Sequence, residues 1–86
     1  MDLNDKVVVI TGASAGIGRA TALEFAGRGA KLALLARGRE GLAGAERQIG
    51  ERGGKAITIA TDVAREQEVD AAADRIEQAL GPIDIW

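Results

Sequence analysis

The sequence contains no cysteine, no histidine and no tyrosine, and its aromatic residues are limited to Phe25 and Trp86. Without cysteine, the chain can form neither a disulfide nor a cysteine-ligated zinc site. Without histidine, acid–base chemistry by an imidazole and histidine-based catalytic triads are excluded. Two aromatic residues are too few for a platform on which nucleic-acid bases stack. The formal net charge of −2 gives no electrostatic case for binding nucleic acid or an anionic membrane.

Signals for export or membrane insertion are also lacking near the N-terminus. Residues 1–6 are acidic and polar where a signal peptide begins with basic residues, and the apolar run at 7–10 is far shorter than a membrane span. We therefore expect a cytoplasmic protein. A content of 47% hydrophobic and 28% charged residues is typical of a globular protein, and 86 residues suffice for one small domain, 1–86.

Short apolar runs alternate along the chain with longer stretches of helical periodicity. This alternation predicts strands at 6–11, 31–36 and 55–60, helices at 17–28, 39–52 and 65–80, and the start of a fourth strand at 83–86. The order β-α-β-α-β-α-β predicts an α/β fold, a parallel sheet with helices on both faces and strand order 3-2-1-4. This is the first half of a doubly wound (Rossmann) sheet whose fourth strand is truncated at Trp86.

The predicted core consists of a first strand buried on both faces and one apolar stripe on each helix. Gly41 and Gly44 lie within the second helix and weaken it by about 1 kcal/mol each relative to alanine. Trp86 is expected to pack within the fourth strand. The predicted stripe of the first helix consists of Ile17, Ala20, Leu23 or Ala22, Phe25 and Ala26. That of the second helix consists of Leu42, Ala45 and Ile49. That of the third consists of Val69, Ala72, Ala73, Ile76, Ala79 and Leu80.

A glycine-rich segment, TGASAGIG at 11–18, lies between the first strand and the first helix. Such a turn brings backbone N–H groups and the positive end of a helix dipole to one point, which favours phosphate. Gly12 allows a sharp turn, Gly16 leaves room for a pyrophosphate, and Gly18 permits close packing of helix and strand. The Ser14 hydroxyl can donate to a phosphate or ribose oxygen. The alternative is a tight turn whose glycines serve the backbone alone, but the position between strand and helix favours phosphate binding.

Three segments resemble the short-chain dehydrogenase/reductase family. TGASAGIG is similar to its cofactor loop TGxxxGIG, Asp62 and Val63 resemble its Asp-Val pair at the adenine ring, and GPIDIW at 81–86 resembles the lead into its fourth strand. The resemblance implies an oxidoreductase that transfers a hydride between a nicotinamide cofactor and a carbonyl or alcohol substrate. It also implies that Ile17 belongs to the cofactor-binding loop and that the whole protein is a homo-oligomer.

The end of the second strand indicates which nicotinamide cofactor binds. NAD sites carry an acidic residue about 20 residues after the glycines, to accept a hydrogen bond from the ribose 2′-hydroxyl. Here Ala36 occupies that position, and Arg37 follows it with a guanidinium that can hold a 2′-phosphate. The alternative is that Arg37 and Arg39 are a solvated pair of charges at a strand end. The family resemblance implies the same preference, so the predicted cofactor is NADP(H).

Two interpretations are open for Asp62. Its carboxylate either accepts a hydrogen bond from the adenine amino group, as the resemblance implies, or belongs to a turn held by local backbone hydrogen bonds. The charges of the helix at 65–80, including Glu66, Glu68 and Asp70, are expected on its solvated face, with no metal site among them.

The catalytic residues that the resemblance implies lie outside this sequence. In the family, an Asn-Asn-Ala-Gly segment ends the fourth strand, and a serine and a Tyr-x-x-x-Lys pair follow later in the chain. The present sequence has no tyrosine and stops before the first of these segments. We therefore expect an N-terminal cofactor-binding segment that is inactive alone. The alternatives are a non-catalytic dinucleotide-binding module and a self-associating half-domain.

Overall fold

The computed structural model describes residues 3–14 and 16–86. Within them, three strands alternate with three helices: β1 (Val7–Thr11), α1 (Gly16–Gly27), β2 (Lys31–Ala36), α2 (Arg39–Glu51), β3 (Lys55–Ala60) and α3 (Glu66–Leu80). The bounds of β2 and β3 are those predicted, and every other bound lies within one residue of the prediction. The α/β class is therefore confirmed.

The three strands form a parallel sheet in the order β1-β2-β3. The register places Val9 beside Ala33 and Ala33 beside Ile57, so β2 is the central strand of the three. A parallel connection needs a crossover, which α1 supplies between β1 and β2 and α2 supplies between β2 and β3. The β1 residues 7–10 are all buried, as predicted for a strand covered on both faces.

Helices cover both faces of the sheet. Because successive side chains of a strand point to opposite faces, β1 and β2 contribute alternate residues to two separate cores. One core lies beneath α1 and α2 and includes Val8, Ile10, Leu32, Leu34, Ala22, Ala26, Leu42, Ala45 and Ile49. The other lies beneath α3 and consists of Val7, Val9, Ala33, Leu35, Ala72, Ile76 and Leu80. The predicted stripe of α2 is thus buried in full, and that of α3 is buried at three of its positions.

The predicted apolar stripe of α1 is wrong at its N-terminal end. Ile17 is 87% exposed and Ala20 is also exposed, whereas Ala22 and Ala26 are the buried residues of this helix. The first turn of α1 lies at the carboxyl edge of the sheet, where the strand beneath it has already ended. An apolar side chain there has no sheet to pack on.

After α3 the chain returns to β1. Asp84 and Val7 exchange two hydrogen bonds, since the Val7 N–H donates to Asp84 Oδ2 and the Asp84 N–H donates to the Val7 carbonyl, both at 2.9 Å. Ile85 forms a parallel bridge with Val8. This is one bridge and not a strand, so the fourth strand and the order 3-2-1-4 stay predictions. Trp86, expected to pack within that strand, is instead 52% exposed.

Gly50 and Gly54 offer a matched test of the packing around α2. A Cβ at Gly50 would meet nothing within 4 Å, whereas a Cβ at Gly54 would lie 2.8 Å from Ile49 Cγ2 and 3.1 Å from Ala26 Cβ. We expect Gly50→Ala to raise the free energy of unfolding by about 0.5–1 kcal/mol through helix propensity. Gly54→Ala should lower it by about 1–3 kcal/mol through overpacking. Urea denaturation measures both, and equal shifts for the two variants would contradict the described packing.

Candidate functional site

The loops that follow the three strands meet at the carboxyl edge of the sheet. β1, β2 and β3 all end at this edge because they are parallel and in register. Ligands of open α/β sheets bind outside the carboxyl ends of the strands. A cleft of about 310 Å³ lies here, lined by Gly12, Ser14, Ala36, Arg37, Gly38, Thr61 and Val63. Each of the three loops therefore contributes to one cleft, and four of its residues are predicted site residues.

Three glycines shape the loop between β1 and α1 in different ways. Gly12 and Gly16 have φ of +66° and +60°, a region that other residues rarely adopt, and a Cβ at either would meet nothing within 4 Å. A Cβ at Gly18 would collide with the Gly12 carbonyl oxygen and lie 2.8 Å from its carbonyl carbon. Gly18 therefore provides the close approach expected of it, and Gly16 leaves open space at the start of α1. Ala15 lies outside the described residues.

Helix α1 begins at Gly16, at the carboxyl edge, and the first N–H groups of a helix have no partner within the helix itself. Its first turn contains no acidic residue that would neutralise the positive end of the helix dipole. An anion is accordingly favoured at this point. Ile17 lies in this turn with its side chain almost fully exposed.

The end of β2 contributes Ala36 and Arg37, the two residues from which the sequence predicts the cofactor, to the lining of the cleft. Ala36 is only 7% exposed and lines the cleft, so a methyl group stands where a carboxylate would accept from a ribose hydroxyl. Arg37 is exposed and lines both this cleft and a neighbouring hollow. Arg39, the first residue of α2, is exposed and lines neither. The guanidinium available to the cleft is therefore that of Arg37.

The neighbouring hollow, of about 250 Å³, lies on the β3 side of Arg37. It is lined by Arg37, Ala60, Thr61, Asp62 and Glu68. Arg37 and Thr61 are common to the hollow and the cleft, so the two adjoin along the carboxyl edge and together are called the depression. Asp62 therefore shares the hollow with Arg37 and does not line the cleft that contains Gly12 and Ser14.

Asp62 is held by local hydrogen bonds. Its Oδ1 accepts from the Ala64 N–H at 3.0 Å, and its carbonyl accepts from the Arg65 N–H at 3.0 Å. The local turn predicted as one alternative is thus present. Since Asp62 also lines the hollow, the turn does not exclude a contact with adenine.

Sequence reasoning missed two residues that build this edge. Glu68, expected on the solvated face of α3, is half-buried, and its Oε1 accepts from the Asp62 N–H at 3.0 Å while Oε2 lies 3.5 Å from Arg65 Nε. Thr61 is 3% exposed, and its hydroxyl donates to the Ile59 carbonyl at 3.0 Å. Thr61 could have been found, since a polar residue directly after a buried strand marks the carboxyl edge. Nothing in the pattern of α3 distinguishes Glu68 from its charged neighbours.

Within residues 3–14 and 16–86, no cluster of acidic side chains has the arrangement of a metal site. No helix in the described part of the chain is long and apolar enough to cross a membrane.

The two roles considered for Asp62 can be separated by substitution. Asp62→Ala removes the acceptor for the Ala64 N–H, so we expect the free energy of unfolding to fall by about 0.5–1 kcal/mol. Asp62→Asn keeps an oxygen that can accept from the Ala64 N–H, so its free energy of unfolding should fall less than that of Asp62→Ala. Urea denaturation measures both. An NADPH affinity that is unchanged in a folded Asp62→Ala variant would contradict the adenine role. Stabilising the turn would then be the remaining role of Asp62.

Residues 6–86 match the short chain dehydrogenase family. The chain is 40% identical over 84 residues to an oxidoreductase of Bacillus subtilis, YxnA. The match covers 98% of this chain and 24% of YxnA. A short-chain oxidoreductase of metagenomic origin, solved in complex with NADP, superposes with a TM-score of 0.91 at 38% identity over 96% of this chain and 38% of the other. L-sorbose reductase from Gluconobacter frateurii, solved with NADPH and L-sorbose, superposes with a TM-score of 0.92 at 39% identity. The match covers 99% of this chain and 33% of the reductase. The chain thus spans about a quarter to two fifths of the length of these proteins.

Proposed function

This chain belongs to the short-chain dehydrogenase family, and on that premise we propose that it is the cofactor-binding segment of an NADP(H)-dependent oxidoreductase. The observation that carries the proposal is the cleft at the carboxyl edge. It joins the glycine loop, an exposed guanidinium at the end of β2 and an apolar side chain after β3. A dinucleotide offers a matching phosphate, ribose and adenine group in a single ligand.

The pyrophosphate is assigned to the glycine loop. Space beside Gly16 and the N-terminus of α1 supports this, because both let phosphate oxygens approach backbone N–H groups directly. Ser14 lines the same cleft and can donate its hydroxyl to a phosphate or ribose oxygen. Ile17 is assigned to the same loop on the family resemblance, and its exposure leaves it available to a ligand.

NADP(H) is proposed over NAD(H) because of Ala36 and Arg37. A methyl group at the first position cannot repel a 2′-phosphate, and a guanidinium at the second can bind one with paired hydrogen bonds. The two structural neighbours solved with NADP and NADPH support the same choice. Gly12 and Gly18 act through the backbone, by holding the loop in place.

The adenine is assigned to the β3 side of the depression. Val63 is 53% exposed and lines the cleft, so one face of an adenine ring can cover it. Asp62 lies in the adjoining hollow, within the same loop. Covering an exposed valine removes apolar surface from water and favours binding without a directional contact.

For the whole protein we propose hydride transfer between the nicotinamide and a carbonyl or alcohol substrate, in a cytoplasmic homo-oligomer. The tyrosine that the family resemblance implies as the acid or base does not occur in these 86 residues. The segment alone is therefore proposed to bind cofactor without catalysis.

Self-association is the second candidate function. Ile85 pairs with the edge of β1 that β2 does not occupy, and Trp86 follows it in the chain; the two side chains are 40% and 52% exposed. Exposed apolar side chains next to a strand edge favour pairing between chains. Light scattering on the 86-residue chain tests this candidate, and a monomeric mass at high concentration would discard it.

The proposed 2′-phosphate contact predicts a reversal of cofactor preference. We expect the chain to bind NADPH more tightly than NADH, and Arg37→Asp to reverse that order in isothermal titration. A charge-assisted hydrogen-bonded contact is worth about 1.5–3 kcal/mol, and since Arg37 is exposed we expect roughly a tenfold loss of NADPH affinity, the lower end of that range.

Arg39→Asp is the matched control. It makes the same change of charge two residues away, at a side chain that does not line the cleft. It should lower NADPH affinity by much less than Arg37→Asp. Equal losses in the two variants would mean that the preference reflects net charge and not a contact at Arg37.

A further inference from the structure

Helix α2 comes close to the glycine loop at Gly41. A Cβ at this position would lie 2.6 Å from Ser14 Cβ, 2.9 Å from the Ser14 carbonyl oxygen and 3.3 Å from Ser14 Cα. Two of these three atoms are backbone, so they cannot move aside without shifting the loop. The missing side chain at Gly41 is therefore what allows α2 and the loop to lie this close.

This contact adjoins the cleft, because Ser14 is one of the residues that line it. Arg37 and Gly38, which lie between β2 and α2, line the same cleft. Gly38 is the N-cap of α2, and its carbonyl accepts from the Leu42 N–H at 3.2 Å. The first turn of α2 is thus a hydrogen-bonded unit that contains Gly41 and begins at the cleft wall. Any displacement of Gly41 away from Ser14 moves that wall as well.

We propose that Gly41 is a positioning residue that sets the distance between Ser14 and Arg37 and thereby the preference for a 2′-phosphate. The inference rests on the proposed NADP(H) function. The pyrophosphate needs only the loop and the N-terminus of α1. The 2′-phosphate also needs Arg37, which directly precedes the N-cap of α2. A larger residue at 41 therefore weakens binding of the phosphorylated cofactor more than that of the unphosphorylated one.

Gly44, one turn further along α2, provides a matched control. A Cβ there would meet the end of the Arg19 side chain, with Nη2 at 2.9 Å and Nη1 at 3.4 Å. Arg19 comes from α1, and its Nε donates to Gln48 Oε1 at 2.8 Å. The flexible end of an arginine can move aside at little cost, so Gly44→Ala crowds α2 against α1 without displacing the glycine loop.

The test compares Gly41→Ala and Gly44→Ala by isothermal titration with NADPH and with NADH. For Gly41→Ala we expect at least a tenfold loss of NADPH affinity, and at least a threefold fall in the ratio of NADPH to NADH affinity. For Gly44→Ala the ratio should stay within twofold of the original. A ratio that is unchanged in folded Gly41→Ala overturns the inference, because a merely structural defect weakens both cofactors alike.

A rescue experiment tests the steric cause and covers the case in which Gly41→Ala does not fold. Ser14→Gly removes the Cβ that lies nearest and leaves the backbone carbonyl oxygen at 2.9 Å, so we expect partial relief. Gly41→Ala should change the ratio of NADPH to NADH affinity at least twofold less in the Ser14→Gly background than in the original chain. Where Gly41→Ala alone does not fold, the double variant should fold. An undiminished effect, or a double variant that also fails to fold, overturns the inference. If the original chain binds neither cofactor, the proposed function itself is wrong. If it binds NADPH and only the predictions for Gly41 fail, the inference about Gly41 is wrong and the proposed function stands.

Discussion

The parallel register of β1, β2 and β3 is the constraint on which the rest of this structure depends. Because the strands run in the same direction and are paired residue by residue, their carboxyl ends stop at a common edge. Loops that are distant in the sequence are thereby brought to one cleft, although each is only a few residues long. Helix α1 begins at that edge, so its positive end faces the same space. A single choice of strand direction thus creates both the cleft and its preference for anions.

Much of the fold is predictable from local patterns, because a buried parallel strand and an amphipathic helix each leave a clear mark. The stripe of Leu42, Ala45 and Ile49 identifies the buried face of α2 without further information. The pattern fails at Ile17, where an apolar residue at helical spacing lies beyond the end of the sheet and is exposed. Periodicity records which side of a helix a residue is on and not whether anything lies beneath it.

The candidate site is predictable where one residue's chemistry suffices, and not where two segments must meet. The glycine loop and Arg37 are visible in the sequence because their spacing from strand ends is fixed. Gly41 is different, since locally it is only an unfavourable residue in a helix, and the reason for it is a loop 27 residues earlier. The role of Glu68 likewise depends on where the Asp62 N–H points, which only the assembled fold defines.

The hydrogen bonds between Val7 and Asp84 join residues 77 positions apart. Contacts of such long separation require closure of a long loop, and the entropy cost of that closure opposes their formation. A ribosome releases β1 first, so the outer edge of this strand stays unpaired while the remainder of the segment is translated. Throughout that interval a short strand whose first four residues are apolar offers its backbone groups to any other chain nearby. Residues at the far end of the segment end this exposure: the Asp84 carboxylate and backbone N–H occupy the start of that edge, and Ile85 pairs with the residues that follow.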